Sequence, residues 1–195
     1  PSIPPASSMA EQFLKSLPFT PTAAQDRVAQ ELAADMAKHL PMLRLVQGDV
    51  GSGKTLVAAR AALDTIGAGY QVAFMAPTEL LAEQHHANLL AWFEPLGQPV
   101  AWLSGRTKGK ARAGVLEELA SGRVPIVVGT HALFQDDVEF KNLGLIVVDE
   151  QHRFGVHQRL SLADKGSGEM HPHQLALTAT PIPRSLAMVA YGDLD

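Results

Sequence analysis

Short apolar runs alternate along this chain with longer segments in which apolar residues recur at helical spacing. Alternation of β-rich runs with helical segments of about 12 to 15 residues is typical of βαβ units. Several of the runs are apolar at consecutive positions, which suits strands covered on both faces of a parallel sheet. The pattern therefore predicts an α/β fold. The six predicted strands cover residues 43–47, 71–76, 100–103, 126–129, 145–148 and 175–178.

The N-terminal part divides into two segments. Residues 1–18 begin with Pro and Ser and show no periodicity, so we predict an irregular linker. The following apolar positions recur every four residues and predict an amphipathic helix that is capped by Thr22 and ended by Pro41. Residues 19–195 are expected to form one domain, cut from a longer protein. The periodic positions are Val28, Leu32, Met36 and Leu40.

Composition narrows the class of protein. With 195 residues and 46% hydrophobic content, the chain is long enough for one complete α/β core. No apolar run approaches the ~18 residues of a membrane span, and no secretion signal is evident, so we expect a cytoplasmic protein. The absence of cysteine excludes disulfides and thiolate zinc sites. A net charge of −4 means that any contact with a polyanion must come from local loops.

A glycine-rich segment follows the first predicted strand and leads into a helix-forming run. Its glycines let backbone N–H groups turn inward around an anion, and the helix presents its positive end to the same point. We predict an ATP site in which Lys54 neutralises the β- and γ-phosphates and the Thr55 hydroxyl holds Mg²⁺. The predicted ATP-binding segment is Gly48, Asp49, Val50, Gly51, Ser52, Gly53, Lys54 and Thr55.

Two carboxylates follow the apolar run 145–148. Because parallel strands end at one edge of a sheet, Asp149 and Glu150 are expected near the phosphates. Asp149 would bind Mg²⁺ through water, and Glu150 would orient and partly deprotonate the attacking water. The predicted catalytic residues are thus Lys54, Asp149 and Glu150.

Four motifs resemble those of superfamily 2 helicases. Asp149-Glu150-Gln151-His152 resembles their DExH box, and Thr178-Ala179-Thr180 resembles motif III. The strings 76–80 and 128–131 resemble motifs Ia and Ib. The resemblance extends from about Phe19 to Asp195 and implies a RecA-like P-loop NTPase fold, a parallel sheet with helices on both faces, and the first of two motor lobes.

The resemblance also implies partners and roles. Longer strings around the DExH box and motif III are most similar to helicases that remodel branched DNA, such as stalled forks and Holliday junctions. A transcription-repair coupling translocase is the alternative. The implied cofactors are ATP and Mg²⁺, and the implied partners are DNA, a second RecA-like lobe and an N-terminal wedge domain. The residues implied to couple the ATP site to DNA are His152, Thr178 and Thr180.

Two loops are candidates for DNA contact. Pro77 and Thr130 each follow a strand and precede a helical run, so nearby N–H groups can face DNA phosphates. For Thr78, helix capping is the competing interpretation. The motif candidates are Pro77, Thr78, Glu79, Thr130 and His131. A basic loop, residues 106–112, adds Lys108, Lys110 and Arg112, which either grip DNA or are simply solvated.

Gln25 has two open interpretations. Thr22 and Gln25 fit a capping box, in which the Gln25 side chain reaches back to the cap N–H. The resemblance instead makes Gln25 an adenine-reading residue, with Phe19 stacking on the base.

Two other functional classes share the phosphate loop. They are a small-molecule kinase and a nucleotide-responsive module that does not hydrolyse ATP. As a motor lobe, the isolated chain is expected to bind nucleotide weakly and to show little DNA-stimulated turnover, since the second lobe supplies the arginine finger.

Overall fold

The computed structural model describes residues 1–4, 7–38, 40–48, 53–149, 171–178 and 190–193. Within them lies one sheet in which all strand pairs are parallel. The strands are β1 (Leu43–Gln47), β2 (Gln71–Met75), β3 (Val100–Leu103), β4 (Ile126–Gly129), β5 (Leu143–Asp149), β6 (His173–Thr178) and β7 (Ala190–Asp193). Their order in the sheet is β3-β4-β2-β5-β6-β1-β7.

Helices cover both faces of this sheet. The α-helices are α1 (Ser7–Ser16), α2 (Ala23–Met36), α3 (Lys54–Gly67), α4 (Glu79–Phe93) and α5 (Gly109–Ser121), with 3₁₀ turns at Glu94–Leu96 and His131–Phe134. Successive side chains of a strand point to opposite faces, and β2 shows this directly. Val72 and Phe74 join the core under α1 to α4, whereas Ala73 and Met75 join the core under α5. The predicted α/β fold with helices on both faces is confirmed.

The predicted irregular segment 1–18 is wrong for Ser7–Ser16, which form α1. Phe13 of this helix is fully buried. Its ring centroid lies 5.6 Å from that of Trp92 and 6.4 Å from that of Phe93 on α4. The helix is short, so its stability comes from tertiary packing of its apolar positions Met9 and Phe13, which are four residues apart.

The first residues are also attached to the core. Ile3 is buried, and its N–H donates to the Met36 carbonyl at 2.7 Å. His173, at the start of β6, hydrogen-bonds through Nε2 to the Pro1 carbonyl and accepts at Nδ1 from the Met42 N–H at 2.7 Å. Burial lowers the pKa of this histidine, although the bond to Pro1 opposes the shift.

The structure differs from the sequence analysis at the end of α2 and at β7. α2 begins behind Thr22 as expected but ends at Met36, and Leu40 is 77% exposed. A proline ring clashes with the carbonyl of the residue four positions before it, which for Pro41 is Ala37, the C-cap of α2. β7 was not predicted, because its sequence contains Gly and Asp, which are depleted in strands.

Among the described residues, no helix has the length and apolar character needed to cross a membrane.

Candidate nucleotide and nucleic-acid site

Three predicted motifs meet at one edge of the sheet. β6 lies between β5 and β1, with Asp149 paired to Leu177 and Gln47 paired to Thr178. The N–H of Gly48, the next residue after β1, donates to the Thr178 carbonyl at 3.0 Å. The start of the phosphate loop and the end of β6 are therefore joined through the backbone.

The described part of the phosphate loop ends in a left-handed glycine. Gly53 has φ 88°, and a Cβ built on it would lie 1.9 Å from Nε2 of Gln25. This position therefore requires glycine for two reasons, backbone conformation and space. α3 begins at the next residue and receives no side-chain cap at Gly53, so its first amides remain available to an anion.

A cavity of about 350 Å³ opens at this helix end. Gly53, Lys54 and Thr55 line it together with Asp149, which is 6% exposed. The structure thus brings the phosphate-loop residues and the β5 carboxylate to one space, as the order of strands requires. The hydroxyl of Thr55 and the carboxylate of Asp149 are hard oxygen donors of the kind that Mg²⁺ binds, and the uncapped helix end suits a phosphate.

His85 is a member of this site that the sequence analysis missed. Its Nε2 lies 2.7 Å from Asp149 Oδ2, and its Nδ1 lies 3.4 Å from Thr55 Oγ1. The imidazole packs on Phe74 with ring centroids 4.7 Å apart. No carboxylate stands at ligand spacing from His85 along the chain. Its partner Asp149 comes from β5, whereas His85 lies on α4, so no local signal in the sequence marks the pair.

Gln25 fulfils the capping-box interpretation and also reaches the phosphate loop. The Thr22 N–H donates to Gln25 Oε1 at 2.9 Å, and the Gln25 N–H donates to Thr22 Oγ1 at 3.1 Å. The amide nitrogen of the same side chain lies against Gly53. Phe19, 50% exposed, lines the cavity. Capping is therefore present, and it places the side chain beside the candidate nucleotide site.

Thr78 also caps a helix. Its Oγ1 accepts from the Leu81 N–H at 3.3 Å, as the capping alternative predicts. The neighbouring Glu79 pairs with Arg106 Nε at 3.0 Å, which ties the start of α4 to the basic loop. Pro77 lies between β2 and this cap and is half-buried.

Thr130 is placed differently from the expectation. It is 2% exposed, and its N–H donates to the Leu103 carbonyl at 3.3 Å, so that amide is already used. Within the described chain its hydroxyl has no hydrogen-bond partner. The close approach of β3 causes this burial, since a Cβ on Gly129 would lie 1.9 Å from the same carbonyl oxygen. At this turn the exposed candidate is His131.

The basic loop divides into exposed and paired cations. Lys108 and Lys110 are exposed. Arg112 instead donates to Asp137 at 2.6 and 2.8 Å and to Gln135 at 2.7 Å. The hydrogen bonds that the guanidinium donates to Asp137 raise the pKa of Arg112. Residues 106–112 contain no acidic residue, but in the folded chain Asp137, from a turn distant in sequence, lies beside this loop.

Several predicted site residues lie outside the described ranges. They are Asp49, Val50, Gly51, Ser52, Glu150, His152 and Thr180. Of the predicted coupling residues, Thr178 is described and buried, and its carbonyl bonds Gly48.

The chain resembles known helicases in both sequence and structure. The family model for DEAD/DEAH box helicases matches residues 22–189. The ATP-dependent DNA helicase RecG of Pasteurella multocida is 63% identical over 190 residues, which is 97% of this chain and 27% of that protein. RecG of Escherichia coli K12 is 62% identical over 96% of this chain and 27% of its own length.

A solved structure of RecG bound to a three-way DNA junction matches with a TM-score of 0.83 and 47% identity. The match covers 96% of this chain and 25% of that one. The chain therefore spans about a quarter of the length of the relatives that it matches.

Proposed function

Because this chain belongs to the DEAD/DEAH box helicase family, we propose that it is the ATP-binding motor lobe of a DNA helicase that remodels branched DNA. The observation that carries the proposal is the single cavity lined by Lys54, Thr55 and Asp149. A motor of this kind needs a phosphate cradle and a metal-binding acid at one place, and these residues come from two strand ends that are distant in sequence.

The proposed chemistry divides among the residues of the cavity. Lys54 neutralises the β- and γ-phosphates, and the uncapped start of α3 contributes backbone N–H groups. Thr55 and Asp149 would hold Mg²⁺, which would supply positive charge against the phosphate oxygens. Glu150 orients and partly deprotonates the attacking water.

The proposed DNA contacts are to the phosphate backbone. Lys108 and Lys110 are exposed beside the Glu79 to Arg106 ion pair, so they supply positive charge next to motif Ia. Thr78, Pro77 and His131 complete the surface. Arg112 contributes by orienting the loop, since its guanidinium is bound to Asp137 and Gln135.

Coupling between the two sites is proposed to pass through β6. The Gly48 to Thr178 bond joins the phosphate loop to motif III directly. A change in the loop on nucleotide binding would therefore move the end of β6 and the residues that follow it, including Thr180. His152 would sense the same change from the DExH box.

The complete activity belongs to a larger assembly. We propose that a second RecA-like lobe supplies the arginine finger and that a wedge domain engages the DNA branch, in a cytoplasmic protein. The similarity to RecG favours this function over a transcription-repair coupling translocase. The alternatives of a small-molecule kinase and a non-hydrolysing module gain no support from the relatives.

A binding experiment tests the nucleotide half. Lys54→Ala should weaken binding of a fluorescent ATP analogue by roughly 10- to 100-fold, because it removes charge-assisted hydrogen bonds. Lys38→Ala is a matched control, since that lysine is 69% exposed and pairs with Asp35 away from the cavity. Equal binding by both variants would contradict the proposal.

A second experiment tests the motor half. Glu150→Gln in the longer protein should retain ATP binding and lose junction-stimulated ATP hydrolysis. Unimpaired hydrolysis would favour the non-hydrolysing module. Robust junction unwinding by the 195-residue chain alone would contradict its assignment as one lobe of two.

A further inference from the structure

We propose that His85 is a positioning residue that sets which oxygen atoms of Thr55 and Asp149 face Mg²⁺. The inference rests on the proposed function, because it assigns to His85 a role at that same metal site. The imidazole lies between the two proposed ligands, 2.7 Å from Asp149 Oδ2 and 3.4 Å from Thr55 Oγ1. It touches both and belongs to neither the phosphate loop nor the DExH box.

The position of His85 is fixed by packing. It is 9% exposed, and its ring lies against Phe74 of β2. Leu81 lies four residues before His85 and Asn88 three residues after it, and both line the same cavity, so this face of α4 is turned to the phosphate site. Because the imidazole packs against the Phe74 ring, the positions of both of its nitrogens are fixed.

Hydrogen bonding assigns a direction to each contact. A carboxylate oxygen only accepts, so Nε2 carries the ring proton and donates to Asp149 Oδ2. When the ring carries only that proton, Nδ1 is an acceptor and the Thr55 hydroxyl donates to it.

These two bonds determine which oxygen lone pairs of Thr55 and Asp149 stay available to a metal ion. When Thr55 gives its proton to Nδ1, the lone pairs of Oγ1 are left for the metal. When Oδ2 of Asp149 is bonded to Nε2, Oδ1 is left, and no residue of the described ranges donates to it. Bonds of this kind to ligand atoms are worth about 10- to 100-fold in metal affinity.

His86 provides a matched control on the same helix. Its ring lies 5.3 Å from that of Trp102, and its Nε2 is 3.4 Å from the Val100 carbonyl oxygen. It therefore faces β3 rather than the cavity. A change specific to the metal site should appear at His85 and not at His86.

The experiment measures the metal requirement of nucleotide binding by this chain. ADP carrying a fluorescent methylanthraniloyl group is titrated in EDTA, and Mg²⁺ is then titrated at fixed nucleotide. His85→Ala should raise the Mg²⁺ concentration for half-maximal binding by roughly 10- to 100-fold. Affinity in EDTA should stay unchanged, and His86→Gln should match the unmutated chain in both titrations.

Two further variants separate the contacts. Glutamine places an amide near the Nε2 position, so His85→Gln should retain the Asp149 contact. Asparagine places one near Nδ1, so His85→Asn should retain the Thr55 contact. Intermediate Mg²⁺ requirements in these variants support the proposal, and they decide it even if His85→Ala fails to fold.

Three results would overturn the inference. The first is an unchanged Mg²⁺ requirement in the His85 variants. The second is an equal loss of affinity in Mg²⁺ and in EDTA, which indicates a purely structural role. The third is a lack of nucleotide binding by the unmutated chain in either buffer, and that result alone would also overturn the proposed function.

Discussion

The side-chain amide of Gln25 occupies the space in which a Cβ on Gly53 would lie, 1.9 Å from that position. The helix that precedes β1 and the helix that follows it are thereby in contact at the phosphate loop. The same glutamine closes the capping box of α2 with Thr22. A residue that stabilises a helix start therefore also packs against the last glycine of the phosphate-loop motif.

Gly53→Ala should destabilise the phosphate loop by more than the cost of a left-handed alanine, and nucleotide affinity should fall. A left-handed alanine costs about 1–2 kcal/mol, and here the methyl group also overlaps Gln25. Gly69→Ala isolates the first effect, because Gly69 has φ 89° and no atom near its Cβ position. Urea unfolding and fluorescent-nucleotide binding measure the two contributions. An equal loss in the free energy of unfolding for both variants would show that Gln25 moves aside from the new methyl group without cost.

Thr22→Ala and Gln25→Ala should differ in their effect on base preference. Loss of the Thr22 cap should lower the free energy of unfolding by about 1 kcal/mol and leave the ratio of ATP to GTP affinity unchanged. Gln25→Ala should lower that ratio by up to about tenfold, the equivalent of one hydrogen bond. Competition binding with both nucleotides measures it. If Gln25→Ala weakens ATP and GTP equally, adenine reading is wrong and capping is its only role.

The stability of the fold should fall as pH decreases below the ordinary histidine range. His173 is buried with a lowered pKa, and its Nδ1 accepts from the Met42 N–H. A proton on Nδ1 would place two donors, the ring N–H and the Met42 N–H, against each other. The unfolded chain therefore binds the proton more readily than the folded chain, and the free energy of unfolding decreases. This contribution is complete above about pH 6.5 and is lost as pH falls through the lower folded pKa, with a slope of up to about 1.4 kcal/mol per pH unit.

Urea unfolding between pH 8 and 5.5 measures this loss. His173→Gln should remove that part of the pH dependence. His171→Gln, at an exposed position two residues away, should retain it. A pH dependence that is identical in the two variants would assign the effect to other groups.

The lysines of the basic loop should carry the salt dependence of DNA binding. Replacement of Lys108 or Lys110 by alanine should reduce the slope of log affinity against log salt by roughly 0.9 per lysine. Arg112→Ala should leave the slope unchanged, because its guanidinium is already bound to Asp137. Fluorescence anisotropy with a labelled junction over a range of salt concentrations measures the slopes. An unchanged slope in both lysine variants would exclude this loop from the DNA contact.

Much of the fold was predictable because its strands are consecutively apolar and its helices are long. α1 and β7 were not predicted. Ser7–Ser16 become helical through contact of Phe13 with two aromatic rings that lie about 80 residues later. β7 pairs along β1, which compensates for weak strand-forming residues.

The candidate site divides in the same way. Lys54 and Thr55 could be proposed as site residues from the sequence, because the spacing of a local motif itself indicates the chemistry. Thr130 and Arg112 were expected to face DNA because their neighbours in sequence are suitable. Their actual neighbours, Leu103 and Asp137, come from other elements.

The sequence by itself determined the fold class, the phosphate-loop motif and the strand that ends in Asp149, since each depends on residues that are adjacent along the chain. Only the tertiary structure decided that Asp149 and Thr55 share one cavity, that His85 lies between them, and that Gln25 adjoins Gly53. These residues lie 28 to 94 positions apart along the chain. The strand order β5-β6-β1 brings Asp149 to the phosphate loop, whereas His85 and Gln25 reach it from the helices α4 and α2 that pack beside the sheet.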